Sequence, residues 1–172
     1  MIIIGGCAVI LAYDGDFYTL DIDTFTPVND IEKAYESAKH KTKLNIPLHY
    51  SSVADAPYDF EERLQICSKS SLKKLHVYFP EKHDLVLMKV MRADEHDIQH
   101  IQDIASKKGL DYSTLLTRFL EEMSAIVMDY NRLELHFLYM LEQVFGEKMA
   151  ENAEEIINEH DTWLTRLKQG RM

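Results

Sequence analysis

Cysteine is scarce in this chain: Cys7 and Cys67 are the only two in 172 residues. Neither has a second thiol at metal-ligand spacing, so a disulfide framework and a thiolate metal site are both excluded, and a reducing compartment, the cytoplasm, is the expected location. Basic charge is short as well. The 19 Lys and Arg are outnumbered by 29 Asp and Glu, giving a formal net charge of −10. That balance excludes a broad electrostatic grip on a phosphate backbone and leaves room only for a local basic patch. Long apolar runs are missing too. The most apolar stretch, Met1 to Tyr13, is broken by Gly5-Gly6, has no basic flank or small-residue cleavage site, and falls short of the ~20 residues of a membrane span. It reads as core, and no membrane partner is expected. A strand that starts at residue 2 leaves no room for a helix ahead of it, so the expectation is a chain that starts inside a longer natural domain. There is no internal repeat and no low-complexity segment.

What remains is 46% hydrophobic and 28% charged, the composition of a soluble globular protein with room for one compact catalytic core and a helical annex. Its most informative feature lies in the first two dozen residues. Gly5 and Gly6 let the backbone turn sharply and approach a ligand, and a helix over Cys7 to Tyr13 would aim free N–H groups at an anion. In Phe17-Tyr18-Thr19-Leu20-Asp21-Ile22-Asp23, strand alternation would put Asp21 and Asp23 on one face and turn Tyr18, Leu20 and Ile22 into a core. Two carboxylates on one face make a hard-oxygen site suited to Mg²⁺, which takes one or two protein carboxylates and completes its shell with water and substrate phosphates. A glycine pair alone is usually a turn, and alternating aspartates alone usually mark a solvated strand face; their order and spacing together favour a site.

The rest of the chain reads as a mixed sheet giving way to helices. Strands are expected at Ile2–Ile4, Phe17–Asp23, Leu44–Tyr50 and Leu75–Phe79, with Pro47 pointing to an edge or bulge. Ala54 to Tyr58 reads as a turn that leads into a short polar helix around Glu61. Asn29 to Lys39 carries Ile31, Ala34, Tyr35 and Ala38 at helical period and should pack on the sheet. Helices follow over about Lys82 to Arg92 and Asp94 to Lys108, closed by Gly109. Beyond Ser113 two amphipathic helices, hinged at Asp129 to Asn131, are expected to pack as an antiparallel pair, and a last helix spans about Ala150 to Lys168. The fold class expected is α/β (α+β), a small mixed sheet flanked by helices. Residues 1–110 would form the core, and 111–172 an all-helical region packed on it.

In order, Gly5-Gly6, Tyr18 to Asp23, Pro80 to Arg92 and His96 to Ile101 resemble the motifs of AbiEii-type nucleotidyltransferases and related bacterial proteins, across roughly residues 2 to 120. Such proteins are similar to the minimal catalytic domain of DNA polymerase β. The resemblance implies a polymerase-β-like fold in which Asp21 and Asp23 hold metal, Gly5 and Gly6 form the phosphate turn, Lys89 is the lysine of the third motif and Asp97 the aspartate of the fourth. It implies Mg²⁺ as cofactor, an NTP as substrate, and RNA, including tRNA, or a protein as acceptor. It also implies toxins that a partner antitoxin neutralises. The pattern is not complete. Phe17 and His96 stand where AbiEii proteins carry arginines, and the strand that often supplies a further carboxylate offers only His49 and Ser51, so Asp97 or Glu61 would have to fold in.

Several of these residues have plain alternatives. Lys89 on a helix would ordinarily be solvated, yet it stands among Leu85, Val86, Leu87, Met88, Val90 and Met91, where a charge needs a partner such as a phosphate. Asp97 could simply complement a helix N-terminus. His96 and His100, four apart on one helical face, look more like an exposed pair than metal ligands. Three readings follow: an active nucleotidyltransferase, a degenerate relative acting as a regulatory or partner-binding module, and a helical interaction or homo-oligomerisation protein in which the aspartates are incidental.

Overall fold

The computed structural model describes residues 1–51, 56–68, 75–126 and 129–160, together with Trp163. It is a mixed α+β architecture. A three-stranded sheet is built from β1 (Ile3–Ile4), β2 (Ile22–Thr24) and β3 (Leu48–Tyr50), in the order β1-β2-β3, with β1 antiparallel and β3 parallel to β2. In that register Ile4 lies opposite Asp23 on one side, and His49 lies opposite Asp23 on the other. A second, two-stranded antiparallel sheet pairs β4 (Gln65–Ile66) with β5 (Tyr78–Phe79), and a bridge from Ile2 to Tyr78 ties it to the first. β4 has no forerunner in the alternation pattern.

Between these strands run α1 (Gly5–Tyr13), α2 (Val28–Thr42) and a 3-10 turn over Phe60–Arg63. Then come α3 (Lys82–Val90), α4 (Glu95–Lys108), α5 (Tyr112–Glu122), α6 (Tyr130–Phe145) and α7 (Glu147–Glu159). Side-chain caps fix where α4, α5 and α6 begin. The carboxylates of Asp94, Asp111 and Asp129 accept from the backbone N–H groups of Asp97, Thr114 and Asn131, satisfying donors that helix geometry leaves orphaned.

Three expectations change. The strand expected over Phe17–Asp23 begins only at Ile22, whose N–H donates to Pro47 O at 2.9 Å. Tyr18 and Leu20, assigned to the core, are 85% and 78% exposed. Likewise the strand expected from Leu44 begins at Leu48, past Pro47, and the one expected from Leu75 begins at Tyr78. The stripe of α2 is not buried either. Ala34 and Ala38 are exposed, and the helix is tied down by Tyr35, which donates to Ile46 O at 2.5 Å. Finally, α6 packs most extensively on α7, hinged at Gly146, and meets α5 through a stack of Phe119 on Phe137 at 3.8 Å. Val127, the turn residues Ala54 and Asp55, and the last helix beyond Trp163 lie outside the described residues.

One apolar cluster takes in Ile3, Val9, Phe79, Val86, Phe119 and Trp163, so strands, central helices and C-terminal helices share it. Trp163 is fully buried and stacks on Phe119 at 4.8 Å. The position of α3 is set by an ionic network at its start. Asp84, with no exposed surface, takes a two-pronged contact from Arg63 (2.9 and 2.9 Å) and a third from Arg118 (2.9 Å), which also reaches Glu81 at 2.7 Å. Burial alone would raise the Glu81 carboxyl, but His83 and Arg118 outweigh it and hold it down to about 2. Because α3 carries Lys89, this network aims the site.

Candidate active site

The turn from β1 into α1 sets the geometry. Gly5 has φ +65°, and a Cβ built there would collide with Asp23 Oδ2. Only glycine combines that backbone with so close an approach. Gly6 has less freedom to lose, but a Cβ there would still press on Thr19 Oγ1 at 3.3 Å. The N-cap residue Ile4 makes no side-chain cap, and the first N–H groups of α1 lie beside the Asp23 carboxylate without an intrahelical partner.

Asp21 lies just ahead of β2 rather than within it. Its Oδ1 accepts from Thr19 Oγ1 at 3.0 Å, and its Oδ2 lies 4.0 Å from His49 Nε2. Burial, and after it the charges of Asp23 and Asp21, push the Cys7 thiol up. Burial, and then the charge of Asp21, raise the Asp23 carboxyl above the usual range. A bound cation would relieve the like charge that Asp21 exerts on Asp23, and this is the respect in which the residues fit Mg²⁺. The fit extends to one ion. Among the described residues no three His, Cys, Asp or Glu side chains gather as a metal cluster, and Glu61 is exposed on the 3-10 turn.

Lys89 and Asp97 meet here. Lys89 Nζ donates to Asp97 Oδ1 at 2.9 Å, and the two side chains are only 6% and 3% exposed. Arg92 clamps the same carboxylate from outside, Nε to Oδ2 at 2.8 Å and Nη2 to Oδ1 at 3.1 Å. Burial would raise the Asp97 carboxyl, but Arg92 and Lys89 outweigh it and hold it low; burial lowers Lys89. The second partner of Lys89 is His100 Nδ1, at 2.9 Å. An ammonium can only donate, so Nδ1 accepts and the ring proton sits on Nε2. Burial and then Lys89 depress His100 to about 4, and Phe17 stacks on its ring at 3.8 Å. His100 is therefore half-buried in the site rather than an exposed twin of His96. Among the described residues two of the three Lys89 donors are engaged, which leaves one for a ligand.

Two cavities open from this constellation. One of about 220 Å³ is lined by Gly5, Asp23, Ser51, Lys89, Arg92 and Asp97. The other, a groove of about 810 Å³, runs between residues 16–21 and α4, past Asp21 and His100. Asp23 thus faces the small cavity and Asp21 the large groove. Phe17 and His96, the two positions where the AbiEii pattern has arginine, both line the groove. Sequence reasoning gave Arg92 no role, although it closes the same run as Lys89. His49, where a further carboxylate was sought, stands opposite Asp23.

A mixed sheet flanked by helices, a glycine turn against an aspartate and a second aspartate alongside are features of the nucleotidyltransferase class. The chain belongs to the family described as "Nucleotidyltransferase of unknown function (DUF6036)", which matches residues 1–149. Comparison with curated proteins and with solved structures gives no match. Among the described residues no helix is long and apolar enough to cross a membrane.

Proposed function

We propose that this protein transfers a nucleotidyl group from an NTP to a hydroxyl of RNA or of a protein, using Mg²⁺ held by Asp21 and Asp23. The observation that carries the reading is the fit of Asp23 against Gly5, with Asp21 alongside and Lys89 and Arg92 lining the cavity in front. The triphosphate tail enters that cavity, where the glycine turn lets phosphate oxygens approach the backbone and the free donor of Lys89 and the guanidinium of Arg92 meet them. Mg²⁺, when bound, neutralises phosphate charge. The acceptor hydroxyl oxygen forms a bond to the α-phosphorus, the bond from that phosphorus to the bridging oxygen breaks, pyrophosphate leaves, and the hydroxyl proton passes to solvent. Asp97 is a positioning residue that holds Lys89 and Arg92 in place.

The AbiEii resemblance extends the reading to the toxin of a toxin–antitoxin pair working in the cytoplasm. The exposed Leu135 and Tyr139 on α6 suit an antitoxin or a second copy of the chain. A second reading is a degenerate module that binds a nucleotide without transferring it. It is favoured by one observation, the presence of His49 rather than an acid opposite Asp23. Calorimetric titration of a non-hydrolysable NTP with and without Mg²⁺, followed by transfer from α-labelled NTP, separates the two. Mg²⁺-dependent binding with label transfer supports the first, and binding without transfer to RNA, protein or the chain itself supports the second.

A further inference from the structure

The two cavities differ in charge. The small one carries Lys89 and Arg92. Among the described residues no Lys or Arg lines the large groove; its acidic side chains are Asp16, Asp21 and Asp103. Lys107, outside the lining, pairs with Asp16 at 2.7 Å and approaches Asp103 at 3.7 Å, which offsets part of that charge at one end and leaves Asp21 at the other. A strand of RNA lying here would bring one phosphate per nucleotide against Asp16, Asp21 and Asp103, with Lys107 and any Mg²⁺ held at Asp21 as the cations to receive it, so its phosphates meet more like charge than opposite. One face of Phe17 is already covered by His100 at 3.8 Å, so the aromatic ring left open to a nucleobase is Tyr18 at the rim. The rim does offer apolar side chains to a polypeptide. Tyr18 and Leu20 stand 85% and 78% exposed on a segment that has no strand partner.

We propose that the 810 Å³ groove between residues 16–21 and α4 is the acceptor site, and that it takes a polypeptide: a basic segment that lays apolar side chains on Tyr18 and Leu20 and presents a Ser, Thr or Tyr hydroxyl at Asp21. This rests on the nucleotidyl-transfer reading and narrows its acceptor to protein. The product is a phosphodiester between the side-chain oxygen and the α-phosphate, with pyrophosphate released from the phosphate cavity on the far side of Lys89 and His100.

Binding is read directly, so that the result does not depend on transfer. Fluorescence anisotropy is measured on the full chain with a labelled Lys- and Arg-rich peptide bearing Ser, Thr and Tyr, with an acidic peptide of matched apolar content, and with a single-stranded RNA oligomer. The basic peptide is expected to bind, and the paired change Tyr18→Ala with Leu20→Ala to weaken it about tenfold or more, as the loss of two apolar anchors should. Both side chains are exposed, so the fold is kept. At the exposed groove residue Gln99, Gln99→Lys should weaken the basic peptide and Gln99→Glu strengthen it. The affinity of a non-hydrolysable NTP should be unchanged in all of these variants. The proposal is overturned if the basic peptide fails to bind at millimolar concentration or binds no better than the acidic one. It is equally overturned if RNA binds and loses affinity on the Tyr18 and Leu20 changes, or if NTP affinity falls with them, which would make the groove a nucleoside site. Peptide binding without any label transfer would count against the nucleotidyl-transfer reading and leave the peptide site standing.

Discussion

Asp23 Oδ2 fills the space that a Cβ on Gly5 would need, so a strand residue and a helix-start residue eighteen positions apart specify one another. The contact links fold to site. It requires glycine at the β1 to α1 turn, and it holds the carboxylate against a helix N-terminus.

Gly5→Ala is therefore expected to cost more than backbone strain alone. Gly109 supplies the comparison, because its φ of +63° is similar and nothing lies within 4 Å of its would-be Cβ. Gly109→Ala should lose about 1–3 kcal/mol, the usual cost of a non-glycine residue in a sparsely populated backbone region. Gly5→Ala should lose more and weaken NTP binding as well, as measured by urea unfolding and calorimetry. Equal losses in the two variants, with NTP binding intact, would show that the Asp23 contact is slack.

The starts of α4 and α5 were legible to within a residue because their signals are local, whereas α1 and the last helix begin at Gly5 and Glu147, ahead of the expected Cys7 and Ala150. Asp94, Asp111 and Asp129 cap α4, α5 and α6 with side chains that reach no further than three residues. Strand ends were not. The alternation in Phe17 to Asp23 reports amphipathic spacing, but a strand exists only where a neighbour accepts its hydrogen bonds, and pairing to β3 starts at Ile22. Tyr18 and Leu20 are left facing a groove. The neighbours of Lys89 were also beyond the pattern. Its apolar surroundings signalled that it needed a partner, but whether that was a ligand, Asp97 or His100 depends on how α4 crosses α3, which no spacing encodes.

The Lys89 and Asp97 pair makes a quantitative test. Asp97→Asn leaves a buried ammonium with a weakened partner while Arg92 keeps Asp94 at 2.9 Å, and should destabilise by about 3 kcal/mol. Lys89→Met should cost less, since Arg92 still holds Asp97. Combining Lys89→Met with Asp97→Asn should cost clearly less than the sum of the two single changes, giving a strong coupling in a double-mutant cycle. Simple additivity would mean that the pair contributes little. In binding, Lys89→Met should weaken a triphosphate more than a monophosphate, since the outer phosphates are the ones it meets.

Acid should act in two stages. Folded His100 takes up its proton only near pH 4, whereas the unfolded chain takes it up near 6.5. The unfolded state therefore binds more protons between those values, and stability falls as pH drops from about 6.5 to 4. Glu81 adds a second loss below that, because in the unfolded chain it takes up its proton near 4.5 and in the folded protein only near 2. His100→Asn should flatten the upper stage and leave the lower one, as followed by urea midpoints across pH. An unaltered slope between pH 6.5 and 4 would remove His100 from the account.

The carboxylate pair carries the sharpest test of chemistry. If Asp21 and Asp23 hold one ion, replacing either with Ala should abolish Mg²⁺-dependent NTP binding and any transfer. The double change should then cost little more than one alone, as for groups that act as a unit. Stability should move the other way. The Asp23 carboxyl is raised by burial and by Asp21, so its ionised form is less favoured in the folded protein than in the unfolded chain, and its charge works against folding above the ordinary carboxylate range. Asp23→Asn should therefore stabilise the metal-free protein at neutral pH, by a few tenths of a kcal/mol at most given its partial exposure, and that gain should disappear as pH falls below 4. Added Mg²⁺ should raise the melting temperature of the unaltered protein and leave that of Asp23→Asn where it was. Equal NTP affinity in Asp21→Ala and the unaltered protein, with Mg²⁺ present and the fold intact, would remove the metal site and leave the nucleotide-binding module as the better description.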